Sequence, residues 1–303
     1  MAIGQVGATE LDVSPDEWSE LLHDILQRTR YDFRNYSIRL IKRVLSRQLR
    51  IYQFADLACL RSAVCANMET MNKLTAGFMV HVTEMFRNPA TFRYIRHRIV
   101  PELGHLPFIR IWIVGCATGE EAYSFAIMLY EAGLLERSRI YATDIALDVL
   151  AEARRGCLTR SKFERFESNY RLAGGEREPG EYVERDGENG YFRAELRRRI
   201  TFSVHDLTAD VQFQDFDLIC CRNVMIYFNE ELKNKTHRLL LSSLRASGFL
   251  VLGDKETVKF SDVETHYIHL DQQAKIFRKV ESKGGCGYER HPESGQGSEC
   301  ASG

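Results

Sequence analysis

The sequence of 303 residues lacks several features that would assign a protein to a class at once. It has no run of about 18 apolar residues, which argues against a membrane-spanning helix. Its eight cysteines include no C-x-x-C pair, which argues against a zinc site. A formal net charge of −1 gives no overall attraction to nucleic acid or membrane. Residues 1–18 lack a basic stretch followed by an apolar one, so we expect no secretory signal and predict a cytoplasmic protein with reduced thiols.

What the sequence does contain is a strand, a glycine loop and a helix between residues 109 and 128. The apolar, β-branched residues 109–114 predict a buried parallel strand. Small residues at 115–119 predict a tight loop, and Glu120 begins a helical pattern. The loop is not the G-x-G-x-x-G of dinucleotide sites, and two glutamates at the helix start argue against a bound pyrophosphate. By itself, this pattern also fits an ordinary turn between a strand and a helix.

The next predicted strand, residues 139–143, is followed by an acidic residue. Asp144 at the tip of that strand is placed to accept hydrogen bonds from a ribose diol. It equally fits the N-cap of a helix over residues 146–153. The glycine loop and this acid together favour an adenosyl ligand without phosphates, for which S-adenosylmethionine is the leading candidate.

Residues 14–80 predict a small helical domain that begins with Ser14 as an N-cap. Its second helix, over residues 35–49, is amphipathic. Ile38, Ile41, Leu45 and Leu49 form the apolar face. Arg39, Arg43, Arg47 and Arg50 form a basic face. The basic face is either an ordinary solvated surface or a platform for an acidic partner. A further helix is predicted over residues 90–99, with Pro101 just beyond its end.

Residues 157–199 differ in composition from the rest of the predicted α/β frame. They contain the turn pairs Gly174-Gly175, Pro179-Gly180 and Asp186-Gly187. These predict a small antiparallel β-insertion, or alternatively a disordered loop. After it, residues 216–221 predict a strongly apolar strand that places Arg222 and Asn223 at the edge where open α/β sheets bind ligands. Residues 281–303, rich in Gly, Ser and Glu, predict a disordered tail.

Four blocks of this sequence resemble the chemotaxis receptor methyltransferase family, CheR. They are YDFRNYSIRLIKRVLSRQL (31–49), TEMFRNPATF (83–92), IWIVGCATGEEAYSFAIML (111–129) and FDLICCRNVMIYF (216–228). The resemblance covers residues 14–280. It implies an α/β fold: a Rossmann-like class I methyltransferase domain over residues 81–280, an all-helical domain before it and a β-insertion over residues 157–199. It also implies S-adenosylmethionine as the cofactor and no metal.

The family's cofactor contacts transfer position by position onto this sequence. The resemblance implies contacts from His81, Thr83, Arg87, Gly115, Glu120, Asp144, Asp206, Leu207, Arg222 and Asn223. His81 and Asp206 depart from the family pattern, which has asparagine at both positions. Glu256 matches the family's Ser-Glu pair, although its serine is absent here.

The implied reaction is transfer of a methyl group to glutamate side chains of bacterial chemoreceptors. A glutamate with a pKa of about 4.3 is already ionised at neutral pH, so no general base is needed. Catalysis then depends on alignment and on exclusion of water. Arg87 and Tyr227 are the candidate positioning residues, although Tyr227 also fits an aromatic residue that closes the core. We expect a monomer that binds receptor helices through the basic face and the β-insertion.

Three other functions remain open on the sequence alone. One is a methyltransferase with a different acceptor, and the basic helix and the β-insertion disfavour a small one. Another is a non-catalytic regulator that binds receptor or cofactor, which His81 and Asp206 favour. The last is a nucleic-acid methyltransferase, which we do not expect because no aromatic-basic stacking pattern accompanies the basic helix.

Overall fold

The structure is a computed structural model that describes residues 15–209 and 215–280. Ser14 and the predicted tail at 281–303 therefore lie outside the described residues. The α-helices are α1 (Pro15–Thr29), α2 (Ile38–Tyr52), α3 (Leu57–Ala66), α4 (Met68–Phe78), α5 (Pro89–Tyr94), α6 (Val100–Leu103), α7 (Glu120–Glu131), α8 (Leu147–Arg155), α9 (Arg160–Leu172), α10 (Ala194–Arg197) and α11 (Glu230–Ser243). The strands are β1 (Ile109–Val114), β2 (Ser138–Asp144), β3 (Cys157–Leu158), β4 (Val183–Asp186), β5 (Asn189–Phe192), β6 (Ile200–Val204), β7 (Phe216–Cys221), β8 (Leu244–Leu252), β9 (Tyr267–Asp271) and β10 (Ile276–Lys279). Among the described helices, none has both the length and the apolar character needed to cross a bilayer.

Helices α1 to α4 pack around an apolar core of their own. In α2, Ile41, Leu45 and Leu49 are buried as predicted, whereas Ile38 is 58% exposed. Ile38 is the first residue of the helix, at the end of the buried stripe, so its placement in the apolar face was wrong. The four predicted arginines of the basic face are all exposed. Ser37 caps α2 by accepting a hydrogen bond from the Leu40 amide.

The helical region is joined to the sheet by backbone hydrogen bonds next to the loop that follows β7. The Ser37 amide donates to the Tyr227 carbonyl at 2.8 Å, and the Asn229 amide donates to the Asn35 carbonyl at 2.9 Å. Tyr36 and Phe228 form an isolated antiparallel bridge between these two bonds. Any movement of α2 is therefore transmitted to the segment that carries Tyr227.

The helix predicted over residues 90–99 continues further than expected. It starts at Pro89, passes through a π-helical turn at Ile95–Ile99 and ends as α6 at Leu103. Pro101 was expected to follow the helix end, but it lies in the first turn of α6. Pro101 directly follows the π-helical turn, in which the Val100 amide donates to the Ile95 carbonyl, so the amide that it lacks falls where the regular α-helical pattern is already interrupted.

The main sheet has seven strands in the order β6-β2-β1-β7-β8-β10-β9. The strands from β6 to β8 pair in parallel, and β10 pairs antiparallel with both β8 and β9. This confirms the predicted Rossmann-like α/β class. Because the strand order reverses direction at β1, the carboxyl ends of β1 and β7 border the crevice where such sheets bind ligands.

The predicted β-insertion is present as a three-stranded antiparallel sheet in the order β3-β5-β4. It also contains the 13-residue helix α9, which the turn-based prediction missed. Phe163, Phe166 and Tyr170 recur at helical spacing in that segment, which is a signal that α9 was detectable. Of the predicted turn pairs, Asp186-Gly187 joins two strands. The glycines at 174 and 175 instead follow the end of α9.

Candidate active site

A cleft opens at the carboxyl edge of the sheet, bordered by the ends of β1, β2 and β7 and by the segment before α5. Its space, open mouth included, is about 1000 Å³, which suits a ligand of nucleoside size. The predicted cofactor residues that line it are His81, Thr83, Arg87, Gly115, Asp144, Asp206, Leu207, Arg222 and Asn223. Tyr227 lines it as well. Of the predicted set, Glu120 is the one that this lining does not include.

The glycine loop is held close to the loop after β7. Gly115 has a φ of +65°, and a Cβ there would lie 2.5 Å from Cγ2 of Val224. Such an approach cannot be made by a larger residue, so the glycine is required by both its backbone conformation and its packing. The Cys116 amide donates to the Thr143 carbonyl at 2.9 Å, which ties the loop to β2.

Asp144 organises the junction between the glycine loop and β2. Its Oδ2 accepts the Ala117 amide at 2.9 Å, and its Oδ1 accepts the Ala146 amide at 3.1 Å. His81 Nε2 lies 3.9 Å from Oδ1. Each carboxylate oxygen has two lone pairs, so Asp144 can hold both turns and still accept a hydrogen bond from a ligand. Asp144 is not the N-cap that the sequence also allowed, because Ala146 occupies that position at the start of α8.

The two glutamates at the start of α7 point in different directions. Glu120 is buried, and its carboxylate accepts hydrogen bonds from Thr118 Oγ1 and from Lys162 Nζ at 2.6 Å. Glu121 lines the cleft and accepts Arg222 Nη1 at 2.7 Å. Successive helical residues are about 100° apart, so one acid faces α9 and the other faces the cleft. Glu121, rather than the predicted Glu120, therefore lines the cleft.

Arg222 is buried, and its guanidinium joins three parts of the site. Besides its bond to Glu121, Nη2 donates to the Arg87 carbonyl at 3.0 Å and to Asn88 Oδ1 at 2.8 Å. Its Nε has no hydrogen-bond partner among the described residues. A buried cation with this many acceptors positions the segment before α5 against β7.

Glu256 holds the loop after β7 from behind. Its carboxylate accepts four backbone amides: Oε1 from Val224 at 2.9 Å and Met225 at 2.8 Å, and Oε2 from Asn223 at 2.9 Å and Gly253 at 2.7 Å. Burial raises the pKa of Glu256, while these hydrogen bonds act in the opposite direction. Asn223 has a φ of +62°, an uncommon conformation that this cluster of bonds fixes.

Tyr227 lies where the cleft meets the helical region. Burial raises its pKa, and the positive charges of Arg43 and Arg87 oppose that shift. The phenol therefore stays protonated at neutral pH and can donate a hydrogen bond. Arg87 Nη1 donates to the Val82 carbonyl at 3.0 Å, which leaves its other donors available to a ligand. Both predicted positioning residues thus line the cleft.

The residues of the cleft fit S-adenosylmethionine. The backbone of Gly115 borders the cleft, and Asp144 offers carboxylate oxygens at the strand tip. Tyr36, Phe78 and Leu207 add apolar surface for a base. No sequence pattern predicted Tyr36 in the cleft, since the packing of the helical region beside β7 brings it there. Glu121 was signalled by the Glu-Glu pair, but the sequence did not tell which acid faces the cleft.

Comparison with known proteins is consistent with this geometry. Residues 81–276 match the family model described as "CheR methyltransferase, SAM binding domain". The chain belongs to the CheR methyltransferase family. It is therefore an S-adenosylmethionine-dependent methyltransferase, and S-adenosylmethionine is its cofactor.

Relatives of this family member match different shares of the chain. Cher3 of Pseudomonas putida, named as a methyltransferase, is 41% identical over 259 residues, which are 86% of this chain and 95% of Cher3. A chemotaxis protein methyltransferase of Listeria innocua is 31% identical over 59% of this chain and 66% of its own length. Among solved structures, the glycopeptide N-methyltransferase MtfA with S-adenosylmethionine is 15% identical, with a TM-score of 0.33 over 53% of each chain.

Proposed function

We propose that this protein methylates glutamate side chains of bacterial chemoreceptors and so forms glutamate methyl esters. The observation that carries the proposal is one surface on which Arg87 and Tyr227 line the cleft, while Tyr227 also packs against the core of the helical region that carries Arg43. A carboxylate acceptor suits that surface, whereas a cationic amine acceptor would be repelled. Chemotaxis protein methyltransferase is also the name of its Listeria relative.

In this proposal the chain's own residues align the acceptor and exclude water. The bound cofactor supplies a methyl group carried on a sulfonium sulfur. Arg87 and the protonated Tyr227 hold the acceptor carboxylate, which is ionised at neutral pH and needs no base. Fixing the reacting groups in this way supplies about 7–11 kcal/mol of the barrier in favourable cases. His81, Thr83, Asp144, Asp206, Leu207, Arg222 and Asn223 are proposed to bind the cofactor around the Gly115 loop, with Glu121 in the place first given to Glu120.

The proposal divides the chain by task. Residues 14–80 form the acceptor-facing domain, and residues 81–280 form the cofactor domain with its β-insertion. Arg39, Arg43, Arg47 and Arg50 dock on acidic receptor helices, with the β-insertion as a second contact. The reaction then takes place in the cytoplasm, where those helices lie, with the enzyme as a monomer.

The non-catalytic regulator considered from the sequence is not retained, because the chain belongs to a methyltransferase family. Asp206, which departs from the family's asparagine, lines the cleft, and its Oδ1 accepts hydrogen bonds from the amide and hydroxyl of Thr208 at 2.8 and 2.7 Å.

The test of the proposed function is methyl transfer from radiolabelled S-adenosylmethionine to membranes that contain a chemoreceptor. Membranes without the receptor serve as the control. We expect receptor-dependent labelling that falls in Tyr227→Phe, which retains the ring but removes the hydroxyl donor. Wild-type protein that binds the cofactor but labels neither membrane would contradict the proposal.

A further inference from the structure

A second concave surface, the lysine groove, lies beside the cleft. It is lined by Lys233 of α11 and by Lys255 and Lys259 of the loop after β8. The loop after β7 separates the two surfaces, because Asn223 and Tyr227 line the cleft whereas Met225 and Ile226 line the groove. A molecule bound in the groove therefore contacts the same short segment that carries Tyr227.

The charge of the groove is only partly compensated. Lys233 pairs with Glu230 at 2.7 Å. The carboxylate of Glu256, which also borders the groove, is occupied by backbone amides. Lys255 and Lys259 are exposed and have no ion-pair partner within residues 15–209 and 215–280. Two uncompensated ammonium groups at one surface favour a negatively charged ligand.

Phe260 projects from the groove in an unfavourable conformation. Its side chain is 94% exposed, and its backbone φ is +66°. A bulky residue rarely adopts this conformation, and Glu264 supports it here by accepting the Phe260 amide at 2.8 Å. The fold thus holds a large aromatic side chain in solvent at a cost in both strain and exposed apolar area. Exposed aromatic residues of this kind act as anchors at protein interfaces.

A buried imidazole adds a third observation. His237 lines the groove and is 4% exposed, yet its Nδ1 has no hydrogen-bond partner among the described residues. Buried polar atoms are satisfied in the great majority of cases, so an unsatisfied one at a concave surface marks a position for a ligand group or for water. Asn234, one helical turn before Arg238, supplies a further polar side chain to the groove.

We propose that the lysine groove binds an acidic segment of the acceptor protein, an assignment that rests on the proposed function because it takes the bound protein to be the acceptor. Carboxylates of that segment pair with Lys255 and Lys259, and one of its apolar side chains packs on Phe260. The segment then lies on the opposite side of the Tyr227 loop from the basic face of α2. An elongated acidic helix that contacts both surfaces crosses the mouth of the cleft.

The experiment measures binding without requiring methyl transfer. The probe is a fluorescein-labelled helical peptide that contains glutamate and leucine residues. A matched peptide has glutamine in place of each glutamate. Fluorescence polarisation at low salt compares the wild-type protein with Lys259→Glu and Phe260→Ala. Arg110→Glu is the matched control, because it makes the same charge change on an exposed residue of β1 that lines neither the cleft nor the groove.

We expect Lys259→Glu and Phe260→Ala each to weaken binding of the acidic peptide by about fivefold or more, with Arg110→Glu close to the wild type. Calorimetry should show unchanged S-adenosylmethionine affinity in all three variants. Equal binding of the glutamine peptide, or equal affinity of Lys259→Glu and Arg110→Glu, would overturn the inference. Loss of peptide binding in the groove variants, combined with no labelling of receptor by the wild type, would support the groove and contradict the proposed acceptor.

Discussion

Replacing Glu256 by glutamine perturbs the loop that carries half of the site, with almost no change in side-chain shape. One carboxylate oxygen becomes an NH₂ group, which cannot accept from the two amides that now bond to that oxygen. Each buried amide left without an acceptor costs about 1–3 kcal/mol, so we expect a loss of about 2–6 kcal/mol in the free energy of unfolding. Because either Asn223 or Val224 is then no longer held, the cofactor must order the loop itself. We expect its affinity to fall by about tenfold or more.

The assay for Glu256→Gln combines urea unfolding with calorimetric titration of S-adenosylmethionine. Asp217→Asn is the matched control, since Asp217 is equally buried and accepts the Arg110 amide at 2.7 Å and Arg245 Nη1 at 2.6 Å. It lies near the start of β7, away from the cleft, so it should lose stability while the folded protein keeps its affinity. Our reasoning is refuted if Glu256→Gln matches the wild type in both measurements.

Three further predictions follow from other contacts. Asp144→Ala should weaken S-adenosylmethionine binding by about tenfold or more in calorimetry, and unchanged affinity in a folded variant would contradict the ribose assignment. The double change Arg43→Glu with Arg47→Glu should slow receptor methylation and reduce the salt dependence of its rate, while the cofactor affinity stays unchanged. A wild-type rate at low salt would show that the basic face is an ordinary solvated surface. Burial lowers the pKa of His237, so the folded protein takes up its proton less readily than the unfolded chain. Its contribution to stability should therefore be lost as the pH falls below about 6.5, and thermal unfolding of His237→Gln should show a smaller decrease between about pH 7 and pH 5.

The frame of the fold followed from local patterns, because its strands are short apolar runs and its turns contain glycine. Residues 109–114 and 216–221 are fully apolar or nearly so, and both form central strands of the sheet. The helix α9 was missed because the turn pairs that follow it dominated the interpretation. Pro101 was misplaced because a π-helical turn before it is not encoded by any simple pattern.

Parts of the candidate site were predictable where the residue type and its position at the end of a predicted strand identify the role, as at Gly115 and Asp144. Other parts were not predictable, because they depend on the direction in which a side chain points or on a contact between residues far apart in sequence. Glu120 and Glu121 are adjacent and identical, and only the packing of α9 through Lys162 separates their roles. Tyr36 reaches the cleft through a backbone bridge to Phe228, far away in sequence. Such contacts depend on tertiary packing rather than on local periodicity.

The most direct test of the central claim is to measure whether the transferred methyl group is held in an alkali-labile ester. After labelling of receptor membranes with radioactive S-adenosylmethionine, the labelled protein is treated with mild alkali and the volatile methanol is counted. A glutamate methyl ester predicts near-complete release of the label as methanol. Label that survives the alkali would show methylation of nitrogen or another stable position, and it would contradict a carboxylate acceptor held by Arg87 and Tyr227.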